Sequence, residues 1–133
     1  QTRLEGNPTL LKEMVRNLID NAINYTPSTS ARPGVVTVRV TAVAFPSGSP
    51  AMQVQVEDSG PGIPVHEREL VLEPFYRVLG TETDGSGLGL SIVKEIAEQH
   101  NAHLLISDAH PGQSPPGARF SIVFGNRRHA PDQ

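Results

Sequence analysis

The most informative segment of the chain reads Asn17-Leu18-Ile19-Asp20-Asn21-Ala22-Ile23-Asn24-Tyr25-Thr26. It lies within a series of apolar residues at alternating steps of one and three: Leu10, Leu11, Met14, Val15, Leu18, Ile19, Ala22 and Ile23. That spacing predicts an amphipathic helix with one apolar face. We expect the helix to start at Pro8-Thr9, where proline is tolerated. We expect it to end at Thr26-Pro27, because the residue before a proline leaves the helical region.

A polar stripe runs along another side of this helix. Glu13, Asn17, Asn21 and Asn24 follow at steps of four, four and three residues, which align their side chains. Asn is a mediocre helix former because its side chain competes for backbone hydrogen bonds, so three of them cost helix stability. The stripe alone allows two interpretations. It is an exposed polar face, or it is a row of amide oxygens that binds a hard cation such as Mg²⁺ together with phosphates.

The remaining elements follow from periodicity and turn residues. Alternating and β-branched runs predict strands at residues 2–5, 35–43, 52–57, 103–107 and 119–124. A short helix is expected at 64–72 and a second long helix from Leu88 to His100-Asn101. The strand pairs indicate an α+β two-layer sandwich, with a mixed, largely antiparallel sheet and helices packed on one face. We expect one domain at 1–125 and a polar tail at 126–133.

Composition narrows the classes of function. The chain has 133 residues, a net charge of -3 and no Cys. The acidic balance argues against a nucleic-acid partner, and the lack of Cys excludes disulfides, thiol catalysis and Cys-ligated metals. No apolar run approaches the roughly 20 residues of a membrane span. Because the chain begins with Gln1 and not Met, we expect it to be a piece of a longer protein.

A glycine-containing turn follows the predicted strand at 52–57. It reads Asp58-Ser59-Gly60-Pro61-Gly62-Ile63. One interpretation is a tight turn that uses the backbone freedom of glycine. The other is a binding site in which Asp58 accepts a hydrogen bond from the amino group of a base. The glycines would then let a flat ring lie close to the backbone.

A second glycine cluster, Gly85-Ser86-Gly87-Leu88-Gly89-Leu90, leads directly into the second long helix. Glycines leave backbone N–H groups open at a helix N-terminus, where the helix dipole also favours phosphate. The dinucleotide fingerprint is excluded because position 90 is Leu instead of Gly. The Walker loop is excluded because neither Lys12 nor Lys94 follows a glycine.

These motifs, taken in order, resemble the nucleotide-binding domain shared by sensor histidine kinases, gyrase-type topoisomerases, heat-shock chaperones and mismatch-repair ATPases. The resemblance covers roughly residues 6–124. Residues 17–26 are similar to the kinase N box, 58–63 to the first glycine box and 85–94 to the second glycine box with its continuation. Glu73-Pro74-Phe75-Tyr76-Arg77 resembles the F box of the histidine-kinase branch. The resemblance implies a Bergerat-type ATP-binding fold with an ATP lid loop.

The resemblance also implies roles for individual residues. Asn21, helped by Asn17, would hold Mg²⁺ against the phosphates of ATP, and Asp58 would bind the adenine amino group. Arg77 would meet the γ-phosphate or help to dock the partner domain, and residues 78–86 would form the lid. Further nucleotide contacts are implied at Asn24, Tyr25, Gly60, Gly62, Ile63, Gly85, Ser86, Gly87, Leu88 and Gly89.

Position 17 separates the branches of this family. Hydrolysing members carry a Glu four residues before the metal-binding Asn, and that Glu activates water. In this chain the position is Asn17, and an amide cannot act as a general base. We therefore expect the catalytic domain of a two-component sensor histidine kinase. The alternatives are a same-fold ATPase, an anti-sigma serine kinase and a degenerate ATP-binding regulatory module.

The partners are implied by the same resemblance. They are a dimerisation domain of the same or a sister chain, which carries the phosphoacceptor His, and a response regulator. We expect a membrane-anchored homodimeric parent, with this domain in the cytoplasm and monomeric by itself. His66-Glu67-Arg68 holds a fragment of the acceptor pattern but lacks its Arg-x-Pro continuation. The chain departs from many relatives at Asn24, where they carry Lys or Arg, and at Gly117-Ala118, where they carry Gly-Thr.

Overall fold

Two α-helices and four β-strands form the described part of a computed structural model, which covers residues 7–24, 33–76 and 89–125. In chain order they are α1 (Pro8–Asn24), β1 (Val36–Ala44), β2 (Pro50–Asp58), α2 (Gly89–Gln99), β3 (His103–Asp108) and β4 (Ala118–Gly125). The predicted strand at 2–5, the predicted lid at 78–86 and the predicted tail at 126–133 lie outside the described residues.

The four strands form one sheet in the order β1-β2-β4-β3, and all three pairs of neighbours are antiparallel. Val56 lies opposite Val38 on one side and Phe120 on the other, so these three side chains share a face. Both helices pack on that face. The α+β two-layer arrangement expected from the sequence is therefore confirmed for the described elements.

The hydrophobic core lies between the helices and the inner face of the sheet. Its most deeply buried large side chains are Met14, Leu18, Val56, Val93, Phe120 and Ile122. Each such side chain contributes about 1.5–3 kcal/mol when it is removed from water. The core thereby fixes α1 against both α2 and β2, and these elements carry the sequence motifs. Neither helix in the described ranges is long and apolar enough to cross a membrane.

Hydrogen bonds join the start of α1 to the end of α2. Asn7 caps α1, because its Oδ1 accepts hydrogen bonds from the backbone N–H of Thr9 at 3.0 Å and Leu10 at 3.2 Å. The Asn7 N–H in turn donates to His100 Nε2 at 3.1 Å, just after α2. Asn101 then takes the left-handed conformation with φ of 55°, which Asn tolerates at a helix C-terminus.

The segment predicted as one short helix at 64–72 has a different structure. It forms two separate 3₁₀ turns, Val65–Glu67 and Leu70–Leu72. Of these six residues only Glu67 and Val71 are buried, so the segment lacks the continuous apolar face that would stabilise an α-helix. The prediction of one short helix over 64–72 was therefore wrong, because two separate turns take its place.

Candidate functional site

Asp58 ends β2 as a buried carboxylate with only 4% of its surface exposed. Its Oδ1 accepts two backbone hydrogen bonds, from Gly60 N–H at 2.9 Å and from Ala118 N–H at 3.2 Å. Oδ2 receives no hydrogen bond from the residues that the structure describes. The carboxylate is therefore fixed in orientation through one oxygen, while the other can accept a hydrogen bond from a ligand.

Burial raises the pKa of the Asp58 carboxyl above its usual value, and the bonds from Gly60 and Ala118 offset part of that effect. A buried carboxylate that lacks a cationic partner is unfavourable for folding alone. A hydrogen-bond donor on a ligand, such as an exocyclic amino group, would compensate it. This environment supports the predicted role of Asp58 as a base-binding residue.

Two glycines shape the turn after Asp58. Gly62 lies in the turn and was predicted from the sequence, whereas Gly117 lies at the end of the β3–β4 loop and had no predicted role. Gly62 has φ of 80°, and an added Cβ would lie 3.0 Å from the Gly117 carbonyl oxygen. Gly117 has φ of 69°, and an added Cβ there would collide with the Asp58 carbonyl oxygen. Its N–H donates to the Gly60 carbonyl oxygen at 2.9 Å. Gly117 therefore lets the end of the β3–β4 loop close on the turn.

Ala118 also belongs to the site through its backbone. Nothing in the sequence assigned a role to Gly117-Ala118, where many relatives carry Gly-Thr. The structure places the Ala118 N–H on Asp58, 60 positions away in the chain. A backbone donor is independent of side-chain identity, so the residue type held no signal. The register of β2 against β4, which pairs Glu57 with Arg119, creates this contact.

The polar stripe of α1 faces the start of α2. An added Cβ on Gly89 would lie 3.3 Å from Asn17 Oδ1, a tight contact that would displace this oxygen by a few tenths of an ångström. The Asn17 amide nitrogen donates to the Glu13 carbonyl oxygen at 2.9 Å and to Glu13 Oε2 at 3.3 Å. These bonds orient the amide so that its oxygen faces the N-terminus of α2. The structure thus brings together Asn17 and Gly89, which the sequence assigned to one site.

Asn21, the predicted Mg²⁺ ligand, is partly buried one turn further along α1. Its Nδ2 is buried and has no hydrogen-bond partner in the described part of the chain. A buried amide of this kind is satisfied by a ligand that offers an acceptor, such as a phosphate oxygen, and its carbonyl oxygen suits a hard cation. The residues present therefore fit a Mg²⁺–phosphate group. Asn24, further along, is exposed.

Of the other predicted site residues, one lies in the hydrophobic core and six lie outside the described ranges. The Ile63 side chain is 6% exposed and belongs to the hydrophobic core, and its carbonyl oxygen accepts a bond from Arg68 Nε at 2.9 Å. A nucleotide contact of Ile63 stays a prediction. Six predicted residues lie outside the described ranges: Tyr25, Arg77, Gly85, Ser86, Gly87 and Leu88.

The described part of the segment similar to the F box, residues 73–76, contains an exposed aromatic residue. Phe75 is 70% exposed and has φ of 67°, which is unusual for a bulky residue. The next residue, Tyr76, donates its hydroxyl to Glu67 Oε1 at 2.6 Å, and this bond raises the pKa of Tyr76. Backbone strain of this kind marks functional segments more often than ordinary loops.

Comparison with known proteins identifies the class. The family model described as "Histidine kinase-, DNA gyrase B-, and HSP90-like ATPase" matches residues 6–128. The chain belongs to this family. Its site combines a fixed carboxylate at a glycine turn with an Asn-bearing helix that faces a glycine helix start, as the sequence resemblance implied.

The curated relatives lie in the histidine-kinase branch. The "Signal transduction histidine-protein kinase/phosphatase MprB" of Mycobacterium bovis (strain BCG / Pasteur 1173P2) is 40% identical over 124 residues, 92% of this chain and 23% of the relative. MprB of Mycobacterium sp. (strain KMS) is 39% identical over 127 residues, 95% of this chain and 23% of the relative. The chain thus spans 23% of the length of these relatives.

Solved structures agree with this assignment. The "Mycobacterial sensor histidine kinase MprB" superimposes with a TM-score of 0.81 at 35% identity, covering 92% of this chain and 76% of that one. The catalytic domain of histidine kinase ThkA gives 0.67 at 28% identity, covering 92% and 70%. The chain is therefore an ATP-binding catalytic domain of the histidine-kinase type.

Proposed function

We propose that this domain binds ATP with Mg²⁺ and presents the γ-phosphoryl group to a histidine on a separate phosphoacceptor domain. A response-regulator aspartate would then receive the group. The observation that carries the proposal is the buried Asp58 carboxylate, which is oriented by the Gly60 and Ala118 N–H groups and has no cationic partner among the described residues. Such a group is suited to accept a hydrogen bond from the adenine amino group.

The two halves of the site would bind the two ends of the nucleotide. Asp58 and the turn at Gly60 and Gly62 would hold the base. The amides of Asn17 and Asn21, beside the start of α2 at Gly89, would hold the phosphates and the cation. The chemistry that bound Mg²⁺ supplies is neutralisation of phosphate charge, which phosphoryl transfer requires together with accurate positioning.

Asn17 supports transfer over hydrolysis. Its amide nitrogen is engaged by Glu13, and no form of an amide at neutral pH can remove a proton from water. The γ-phosphoryl group would therefore persist until a stronger nucleophile arrives. The names of the relatives, which are histidine-protein kinases, point to the same chemistry.

A surface next to this site could receive the acceptor domain. A groove of about 400 Å³ lies between the two helices and follows α2 from Ser91 to Gln99. Leu10, Pro74, Ile92 and Ile96 give it apolar lining. Phe75, exposed and adjacent to Pro74, extends this apolar surface. We propose that a helix of the acceptor domain docks here, within a homodimeric, membrane-anchored parent whose catalytic domain faces the cytoplasm.

The direct test is transfer in trans. The domain is incubated with ATP labelled at the γ-position and with the separately expressed acceptor domain of the parent protein. We expect an acid-labile, base-stable phosphoryl group on the acceptor, and none when the acceptor His is replaced by Gln. Rapid phosphate release without acceptor labelling would support an ATPase. ATP binding with neither product would support a regulatory module.

A further inference from the structure

An ion cluster lies on the sheet face that the helices do not cover. Glu57 precedes Asp58 in β2, and its side chain points to the opposite face because successive strand residues alternate. Its Oε2 contacts two guanidinium groups, Arg39 Nη1 from β1 at 2.8 Å and Arg119 Nε from β4 at 2.6 Å. The cluster therefore links β1, β2 and β4 directly behind the base-binding carboxylate.

Arg119 differs from Arg39 because it also holds the β3–β4 loop. Its Nη2 donates to the Ala109 carbonyl oxygen at 3.1 Å, where the loop begins. Ala109 N–H donates in turn to the Gly117 carbonyl oxygen at 3.2 Å, where the loop ends. One guanidinium thus joins the end of β2 to the closed base of this loop.

That loop base delivers one of the two donors that orient Asp58. Ala118 follows Gly117, and its N–H reaches Asp58 Oδ1 at 3.2 Å, the long end of the normal range for this bond. Glu57 and Arg119 are direct partners in the strand register and neighbours of Asp58 and Ala118 in the chain. Loss of the Arg119 contacts would therefore be expected to lengthen the bond between Ala118 N–H and Asp58.

We infer that Arg119 and Glu57 are positioning residues for base recognition: they hold the Ala118 N–H on Asp58 and so keep its second oxygen oriented toward the base. This inference rests on the proposed role of Asp58. Arg39 contacts the same Glu57 oxygen without a bond to the loop, so it provides a matched control.

The experiment compares the affinities for Mg²⁺–ATP and for Mg²⁺–purine riboside triphosphate, which lacks the 6-amino group. Calorimetry is carried out on the wild type, Arg119→Ala, Arg119→Lys, Arg39→Ala and Asp58→Asn. For Arg119→Ala we expect ATP affinity to fall about fivefold to tenfold, the scale of one hydrogen bond, with the affinity for the analogue almost unchanged. Arg119→Lys should fall between it and the wild type. Arg39→Ala should retain the full preference for ATP.

A second measurement distinguishes loss of the Ala118 contact from loss of folding. Thermal unfolding sets a temperature at which every variant is folded, and amide hydrogen exchange is then followed at Ala118. Exchange should accelerate in Arg119→Ala and stay unchanged in Arg39→Ala.

Several outcomes would overturn the inference. Equal loss of both nucleotides in Arg119→Ala would show a purely structural role, and an equal effect of Arg39→Ala would exclude the loop contact as the cause. If Asp58→Asn abolishes the preference for ATP while Arg119→Ala keeps it, only the positioning inference fails. If the wild type shows no preference, the proposed role of Asp58 fails as well.

Discussion

Replacing Asp58 by Asn separates ligand recognition from folding at this site. Asn keeps a carbonyl oxygen that can accept the bonds from Gly60 N–H and Ala118 N–H. In the wild type these donors lie 2.9 and 3.2 Å from Asp58 Oδ1. The second oxygen becomes an amide NH₂, which cannot accept a hydrogen bond from the adenine amino group. The substitution therefore preserves the internal contacts and removes the one that the nucleotide would make.

The expected loss follows from the type of bond. A hydrogen bond to a charged group contributes about 1.5–3 kcal/mol, so ATP should bind roughly ten- to a hundredfold more weakly to Asp58→Asn. Asp58→Ala should lose similar affinity but also stability. It leaves two buried N–H groups without an acceptor, at about 1–3 kcal/mol for each unsatisfied group. The comparison of the two variants assigns each effect to its contact.

Isothermal calorimetry with Mg²⁺–ATP measures the affinities, and urea unfolding measures the stabilities. Unchanged ATP affinity in Asp58→Asn would refute the role of this carboxylate. An equal loss of affinity for purine riboside triphosphate would also refute it, because that nucleotide offers no 6-amino group to lose.

Three further predictions concern other parts of the site. Asn21→Ala should remove the Mg²⁺ dependence of ATP binding, and a persistent dependence in titrations with and without Mg²⁺ would exclude Asn21 as the ligand. Gly117→Ala should cost about 1–3 kcal/mol for the collision with Asp58, in addition to about 1–2 kcal/mol for a left-handed backbone. Its control in urea unfolding is Gly112→Ala, where φ is 84° but the space is open, so equal losses would disprove the collision. Unfolding against pH should distinguish Glu57→Gln from Asp58→Asn. Burial raises the pKa of Glu57, but the guanidiniums of Arg119 and Arg39 together lower it below its usual value. The ionised Glu57 side chain therefore stabilises the fold above the unfolded-state pKa, and this stabilisation disappears as pH falls through the folded-state pKa. The pKa of Asp58 is raised, so the wild type should lose stability relative to Asp58→Asn as pH rises through that pKa, and parallel profiles would contradict both assignments.

Features encoded locally were predictable from the sequence. The steps of one and three residues placed α1, and Met14, Leu18 and Ala22 are buried on its apolar face as that spacing requires. The alternation in residues 52–57 placed β2, with Val54 and Val56 inward. In both cases the side-chain period alone determines which residues are buried.

Features that depend on distant contacts were not predictable in the same way. The donor at Ala118 and the guanidinium of Arg119 reach the site through the pairing of β2 with β4, across 60 and 62 positions of the chain. Register is set by the whole inner face of a sheet, so no local motif shows it. The two 3₁₀ turns at 65–67 and 70–72 likewise depend on how Glu67 and Val71 are packed.

A bound ligand would also explain why two buried polar groups, the Asp58 carboxylate and the Asn21 amide, lack the partners that folding alone would favour. Glu57 is buried but receives two guanidinium groups, whereas Asp58, the next residue, is buried with only backbone donors. Asn21 similarly has a buried Nδ2 without a partner in the described residues, although most buried polar atoms are hydrogen-bonded. Folding alone would favour a neutral residue at position 58 and an apolar or paired one at position 21. Local conflict of this kind is expected where a ligand completes the bonds. The conflicts lie at the two residues assigned to the base and to the phosphates, and this agreement supports a nucleotide as the missing partner of both.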